Sequence, residues 1–263
     1  MKGKKDRGEV KILSSFRQDR KALIIYVCAG DPSLEATYEA VCALARAGAD
    51  IVELGVPFSD PLADGPVIQA ASQRALGQGT TLEQILRLTY DLRKTLDIPL
   101  ILMSYYNPLL RYGLDRFAHD LAKAGGDGVI VPDLPYEEAG PLRASLNKEG
   151  LALVPLVAPT TPDDRLRDIA CQASGFIYCV SLTGVTGPRE ELPPELPGYL
   201  ARVRQATSLP LAIGFGISTP EQARLLAPLG DGIVVGSAIV ETLAKGGIEK
   251  AISLVQAMRK ALE

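Results

Sequence analysis

Ala47-Gly48-Ala49-Asp50-Ile51-Val52-Glu53-Leu54-Gly55 takes the chain out of one periodicity and into another. Leu34–Ala47 repeats its apolar residues at helical spacing, and Ile51–Leu54 is a short, mostly β-branched apolar run. Glycine just past a helix end admits the backbone that stops a helix, so the chain turns at once into a strand. The same step recurs as AGGDG before Val129 and as LGDG before Ile233. A chain that repeats helix, glycine turn and buried strand builds parallel β with right-handed helical crossovers.

Outward from that stretch, the pattern predicts strands at Ala22–Cys28, Ile51–Leu54, Leu100–Met103, Gly128–Val131, Ala152–Leu156, Phe176–Val180, Leu211–Phe215 and Gly232–Val235. Helical periodicity fills the gaps at Leu34–Ala47, Leu82–Thr95, Leu114–Ala124, Glu137–Lys148, Asp163–Ala173, Tyr199–Ala206, Glu221–Ala227 and Ile248–Leu262. Ser33 and Thr219 suit helix starts, and Pro162 suits a first helical turn. Eight strand–helix units without a linker-like break predict one α/β domain over 1–263, a (β/α)8 TIM barrel, with 1–9 as a tail. An extra helix at Val10–Phe16 would plug the N-terminal mouth. Val67–Leu76 and Ser237–Leu243 read as extra short helices after the second and eighth strands. An open doubly wound sheet is the alternative, but no GxGxxG follows the first strand.

Composition agrees. The 263 residues are 47% hydrophobic with 5% aromatics and no Trp, a core of Ala, Val, Ile and Leu. The net charge of −3, with both signs mixed, excludes a strongly basic nucleic-acid or lipid binder. No stretch is long and apolar enough for a membrane span, and no secretory signal pattern opens the chain. Cys28, Cys42, Cys171 and Cys179 show no CxxC spacing and are expected as buried free thiols in a reducing cytoplasm.

A barrel places its chemistry at the C-terminal ends of the strands. Glu53 stands inside an apolar strand on the same face as Ile51. A carboxylate facing into the funnel loses hydration, which raises its pKa toward neutrality and readies it for proton transfer. The pattern is equally met by a buried Glu bonded to a neighbouring donor, or one facing a helix. Asp64 sits in a loop braced by Pro57, Pro61 and Pro66, which can hold a carboxylate still; Asp60 shares that loop and competes for the role. Gly214-Phe215-Gly216 and Gly236-Ser237 follow the seventh and eighth strands, where a helix N-terminus and backbone N–H groups commonly hold a phosphate. Thr183–Gly198, with four prolines, reads as a lid over the site. His119 lies within a helix pattern and receives no role. No HExxH, Cys/His cluster or Ser–His–Asp arrangement points to metal or acyl-enzyme chemistry.

Jointly, ELGVPFSDPLADGP (Glu53–Pro66), AGDP (Ala29–Pro32), YYNP (Tyr105–Pro108), PDLP (Pro132–Pro135), APTTP (Ala158–Pro162), TGVTG (Thr183–Gly187), GFGIS (Gly214–Ser218) and GSAIV (Gly236–Val240) resemble the tryptophan synthase α-subunit family over nearly the whole chain. The resemblance implies aldol-type cleavage of indole-3-glycerol phosphate to indole and glyceraldehyde 3-phosphate. It implies Glu53 as general acid/base, Asp64 as acceptor of the indole N–H, and Tyr178 as a positioning residue. It places Gly187, Gly216, Gly236 and Ser237 at the phosphate, Tyr105 and Ile130 beside the indole, and Thr186 on the lid against Asp64. It implies an α2β2 complex meeting the β subunit around Pro57, Asp60, Asn107 and Pro108. The α chain needs no cofactor of its own, and pyridoxal phosphate is expected in the β partner. Cys28, Ile25 and Leu182 depart from the family's common Thr, Pro and Arg. A stand-alone lyase releasing indole and a catalytically silent phosphate-binding barrel are the competing readings. A sugar-phosphate isomerase would want a His or Lys at a strand end.

Overall fold

The computed structural model describes residues 7–181, 194–214 and 216–263. The chain begins with α1 (Arg7–Ser14), β1 (Ala22–Cys28), α2 (Leu34–Arg46), β2 (Ile51–Gly55), α3 (Pro66–Gly77), α4 (Leu82–Arg93) and β3 (Leu100–Met103). It continues through α5 (Tyr106–Tyr112), α6 (Leu114–Ala124), β4 (Gly128–Ile130), α7 (Gly140–Glu149), β5 (Ala152–Val154) and β6 (Leu156–Val157). It finishes with α8 (Asp163–Gln172), β7 (Ile177–Val180), α9 (Leu196–Ala206), β8 (Leu211–Gly214), α10 (Pro220–Leu226), β9 (Gly232–Val235) and α11 (Ser237–Ala261). All the strand pairings are parallel, in the order β5-β4-β3-β2-β1-β9-β8-β7-β6. The two ends of that order are consecutive in the chain, separated only by Pro155. The sheet is therefore the predicted barrel, with its fifth staves joined through Pro155.

That join corrects one expected strand. Ala152–Leu156 does not run unbroken: β5 pairs with β4, and after Pro155 β6 pairs with β7. Proline brings no N–H to a ladder, so the break falls there. Three helices also differ from expectation. Tyr106–Tyr112 is a helix that periodicity missed, because it is short and carries Pro108. Arg7–Glu9 belong to α1 rather than to a tail, and the Gly8 N–H donates to Gly150 C=O at 2.9 Å. Ser237–Leu243 and Ile248–Leu262 form one kinked element, broken at Gly247 with φ 76° and ψ 179°. Among the described residues no helix is long and apolar enough to cross a membrane. Cys28, Cys42 and Cys179 are buried free thiols, but Cys171 is exposed.

The Asp in the repeated helix-to-strand step has a structural task. Asp50 donates its N–H to Leu23 C=O at 2.8 Å and accepts the Leu23 N–H on its carboxylate at 2.9 Å. Asp127 repeats this with Leu100, at 2.9 Å and 2.9 Å. Asp231 repeats it with Leu211, at 2.8 Å and 2.8 Å. The fourth occurrence uses Ser174, whose hydroxyl accepts the Leu153 N–H at 2.9 Å. Each clamp ties the start of one strand to the turn before the next, at the N-terminal mouth. Each Asp is also met by an arginine: Arg259 for Asp50, Arg93 for Asp127 and Arg204 for Asp231. Gly48 and Gly125 take the expected positive φ, 121° and 82°. Gly230 does not (φ −137°); there a Cβ would lie 2.9 Å from Ile213 Cδ1, so closeness demands glycine.

Alternation along the strands divides two cores. Leu23, Ile25, Val52, Leu54, Leu100 and Leu102 face the helices. Ile24, Ile51, Ile101, Ile130, Val154 and Tyr178 fill the barrel, and Ile12 of α1 closes its floor. At the opposite mouth, α3 packs Ile68, Ala71 and Ala75 on Tyr26 and Cys28.

Candidate active site

Glu53 lies third in β2, on the inward face it shares with Ile51 and Gly55. Its neighbours in register are Tyr26 and Ile101. It is 1% exposed, and among the described residues neither carboxyl oxygen has a hydrogen-bond partner. Burial without a partner penalises the charged form, and the Glu53 carboxyl is pushed up to about 8. This is the opposite of a structural Glu held by a donor, one of the alternatives the sequence left open. At neutral pH the group carries a proton that it can give and take back.

Asp64 reaches the same space from outside the strands. The Tyr105 hydroxyl donates to its carboxylate at 3.1 Å and accepts the Ala63 N–H at 2.9 Å. Phe58 stacks on the Tyr105 ring, with centroids 5.2 Å apart. Gln69 of α3 donates to the Asp64 C=O at 2.8 Å. The loop is thus fixed at both ends, by Tyr105 at the start of α5 and by α3, which begins at Pro66. Burial raises the Asp64 carboxyl, and the Tyr105 bond works against that rise. Asp60 is exposed and takes the Ser59 hydroxyl.

Two tyrosines bracket the carboxylates. Tyr178 of β7 is 5% exposed; its hydroxyl would lie 2.4 Å from a Cβ at Gly214. Tyr26 of β1 stands the same way over Gly55, 2.0 Å from a Cβ there. Both hydroxyls are pushed well above the usual tyrosine range, first by burial and then by the nearby charges, which for each include Glu53 and Asp64. They stay protonated, as donors. Glycine at 214 leaves the room that the Tyr178 hydroxyl occupies. Tyr26 is the residue that sequence reasoning missed. The alternation Ile24-Tyr26-Cys28 points it inward, but only the register of β1 on β2 sets it beside Glu53.

At the ends of β8 and β9, Gly216 has φ 78° and open space where a Cβ would be. Gly236 caps α11, whose first residue, Ser237, is exposed. The first N–H groups of a helix have no intrahelical acceptor, and they meet there with a hydroxyl. Ile130 is fully buried inside the barrel, paired with Met103 and Val154. Thr186 and Gly187, with the rest of the expected lid at its centre, lie outside the described residues, as does Phe215. Of the four expected partner-facing residues, Asp60 and Asn107 are exposed, Pro108 is half-buried and Pro57 is buried.

The arrangement is a buried carboxyl whose proton is held up to about 8, a second carboxylate on a braced loop, and a helix start at Gly236-Ser237 beside Gly216. Comparison with known proteins agrees with it. A family model described as tryptophan synthase alpha chain matches residues 13–263. The alpha chain of Caldanaerobacter subterraneus subsp. tengcongensis is 52% identical, across 88% of this chain and 87% of that protein. That of Geobacter sulfurreducens is 50% identical, across 92% and 94%. Among solved structures, Mycobacterium tuberculosis tryptophan synthase superposes with a TM-score of 0.90 at 36% identity, covering 98% of both chains. The Legionella pneumophila alpha chain superposes at 0.88 and 36%, covering 97% of both. With a match over nearly its whole length, the chain belongs to the tryptophan synthase alpha chain family.

Proposed function

We propose that Glu53 moves the protons of this chain's reaction while Asp64 holds the developing charge. As a member of its family the chain is a carbon–carbon lyase that cleaves indole-3-glycerol phosphate to indole and glyceraldehyde 3-phosphate. That cleavage puts a proton on indole C3 and removes one from the side-chain hydroxyl as the carbon–carbon bond breaks. A carboxyl held near 8 can do both in turn: it donates as an acid, then accepts as a carboxylate. Asp64 accepts the indole N–H and stabilises the positive charge that grows on the ring. Tyr178 positions the substrate, Tyr105 and Ile130 flank the indole, and Gly216, Gly236 and Ser237 take the phosphate together with Gly187. Thr186 meets Asp64 when the lid closes.

The reading assigns the β partner to the mouth around Asp60, Asn107 and Pro108, with Pro57 beneath. Leu62, 94% exposed, and Leu110, 54% exposed, add apolar surface there. The complex is α2β2, pyridoxal phosphate belongs to the β partner, and the chain works in the cytoplasm. The observation that carries the reading is Glu53, buried inside the barrel with neither oxygen bonded among the described residues. Indole formation from indole-3-glycerol phosphate, measured with and without a β chain, tests it. Turnover that rises on adding β is expected; no indole under either condition sinks it.

A further inference from the structure

Above the pairing of Ile130 with Val154 the barrel wall splits. β4 runs out into Val131–Pro135, and β5 stops at Pro155. A cavity of about 470 Å³ fills the split. Its inner end touches Ala63 and Val180, beside the site already described. Its outer end lies behind the strand, floored by Leu153, Ile169 and Ala173, and holds Arg143 of α7. The volume falls in the ordinary range of small-molecule sites.

Arg143 is the unusual group. Its Nη1 donates to Gln172 Oε1, and its guanidinium lies over the Tyr136 ring, 5.6 Å from the centroid. Gln172 is itself fixed, since its Nε2 donates to the Tyr136 hydroxyl at 2.8 Å. The Arg143 Nε is buried with no acceptor, and among the described residues no carboxylate pairs with the guanidinium. Two acids of the surrounding segments are engaged: Glu137 binds Arg165 at 3.0 Å, and Asp133 accepts the Tyr106 N–H at 2.9 Å. With Nε enclosed and Nη1 on Gln172, Nη2 is the donor left to meet a carboxylate. A half-buried cation against apolar walls, lacking a counter-charge, is stabilised by an anion that brings its own flat apolar body.

We propose that this outer cavity binds a small aromatic carboxylate, with its ring on Leu153, Ile169 and Ala173 and its carboxylate on Arg143. The site stands apart from the Glu53–Asp64 pair, so its occupancy does not depend on the catalytic reading. The chain contains no Trp, so an indole ligand excited at the red edge, where tyrosine does not absorb, reports its binding without tryptophan background. Indole-3-acetate is titrated into the full chain and into Arg143→Gln, with neutral indole-3-acetamide as the isosteric control. The affinity for the acetate is expected to fall about tenfold or more in the variant, the size of a lost charge-assisted contact. The acetamide should bind both proteins alike, and the indole-forming activity of Arg143→Gln should equal that of the unsubstituted chain. Ala173→Leu, which keeps the arginine and fills the apolar end, should weaken the acetate to a similar degree. Equal acetate affinity in both variants, complete displacement by indole-3-glycerol phosphate, or no saturable binding overturns the proposal. Displacement with no effect of Arg143 would place the probe in the catalytic site and leave that reading standing.

Discussion

Replacing Glu53 by Gln should stabilise the protein, and the gain should grow with pH. The folded chain holds the Glu53 proton to about 8, whereas an ordinary glutamate releases it near 4.5. Between those values the native state binds more protons at this site than the unfolded state, so Glu53 lowers stability as pH rises. The penalty is absent below about 4.5, accumulates through the neutral range and levels off above about 8. At ~1.4 kcal/mol for each tenfold in proton affinity, the ceiling is ~5 kcal/mol. Relaxation and water entry in the charged state reduce this, so about 2–3 kcal/mol is expected at pH 9. Gln keeps the size of the side chain and never ionises. Urea unfolding of both proteins at pH 5, 7 and 9 measures the difference. Two curves that stay parallel across this range would refute the reasoning, because Glu53 would then ionise as it does in water.

Other consequences are as specific. Tyr105→Phe removes the donor to Asp64 and the acceptor of the Ala63 N–H; kcat/KM for indole formation should drop about 10-fold to 100-fold, the worth of one hydrogen bond to a charged group, with Tm little changed. Asp127→Ala strips one clamp at the N-terminal mouth and leaves the half-buried Arg93 charge with carbonyl acceptors but without its carboxylate. Denaturant unfolding should show a loss of about 3–5 kcal/mol while kcat at a permissive temperature holds. Gly214→Ala sets a methyl 2.4 Å from the Tyr178 hydroxyl; kinetics should show KM and kcat both impaired, and relief in the double variant with Tyr178→Phe.

The barrel was readable because its parts announce themselves locally. Apolar β-branched runs, glycine stops and the Gly-Asp step need no knowledge of distant residues. Ser33 and Thr219 cap helices as expected, the second through a capping box with Gln222. What stayed hidden needed three dimensions. The Asp of the repeated step stands in plain view, but its arginine lies 34 residues away for Asp127 and 209 away for Asp50. Tyr105 and Asp64 are 41 residues apart, so nothing local says that one holds the other. Spacing made Glu53 a candidate; only the register of β2 between β1 and β3 shows that no donor reaches it. The apolar run carried the expected strand straight through Pro155, where the ladder breaks, and Pro108 hid the short helix that contains it.

The account stands on Glu53 as the proton-transfer group. The most direct measurement is indole formation from indole-3-glycerol phosphate by Glu53→Gln, saturated with β chain, with substrate binding measured on the same sample. A fall in kcat of about 10²–10⁴, the range for a lost general acid/base, with substrate affinity retained is the predicted result. Turnover within a few fold of the unsubstituted chain would contradict it.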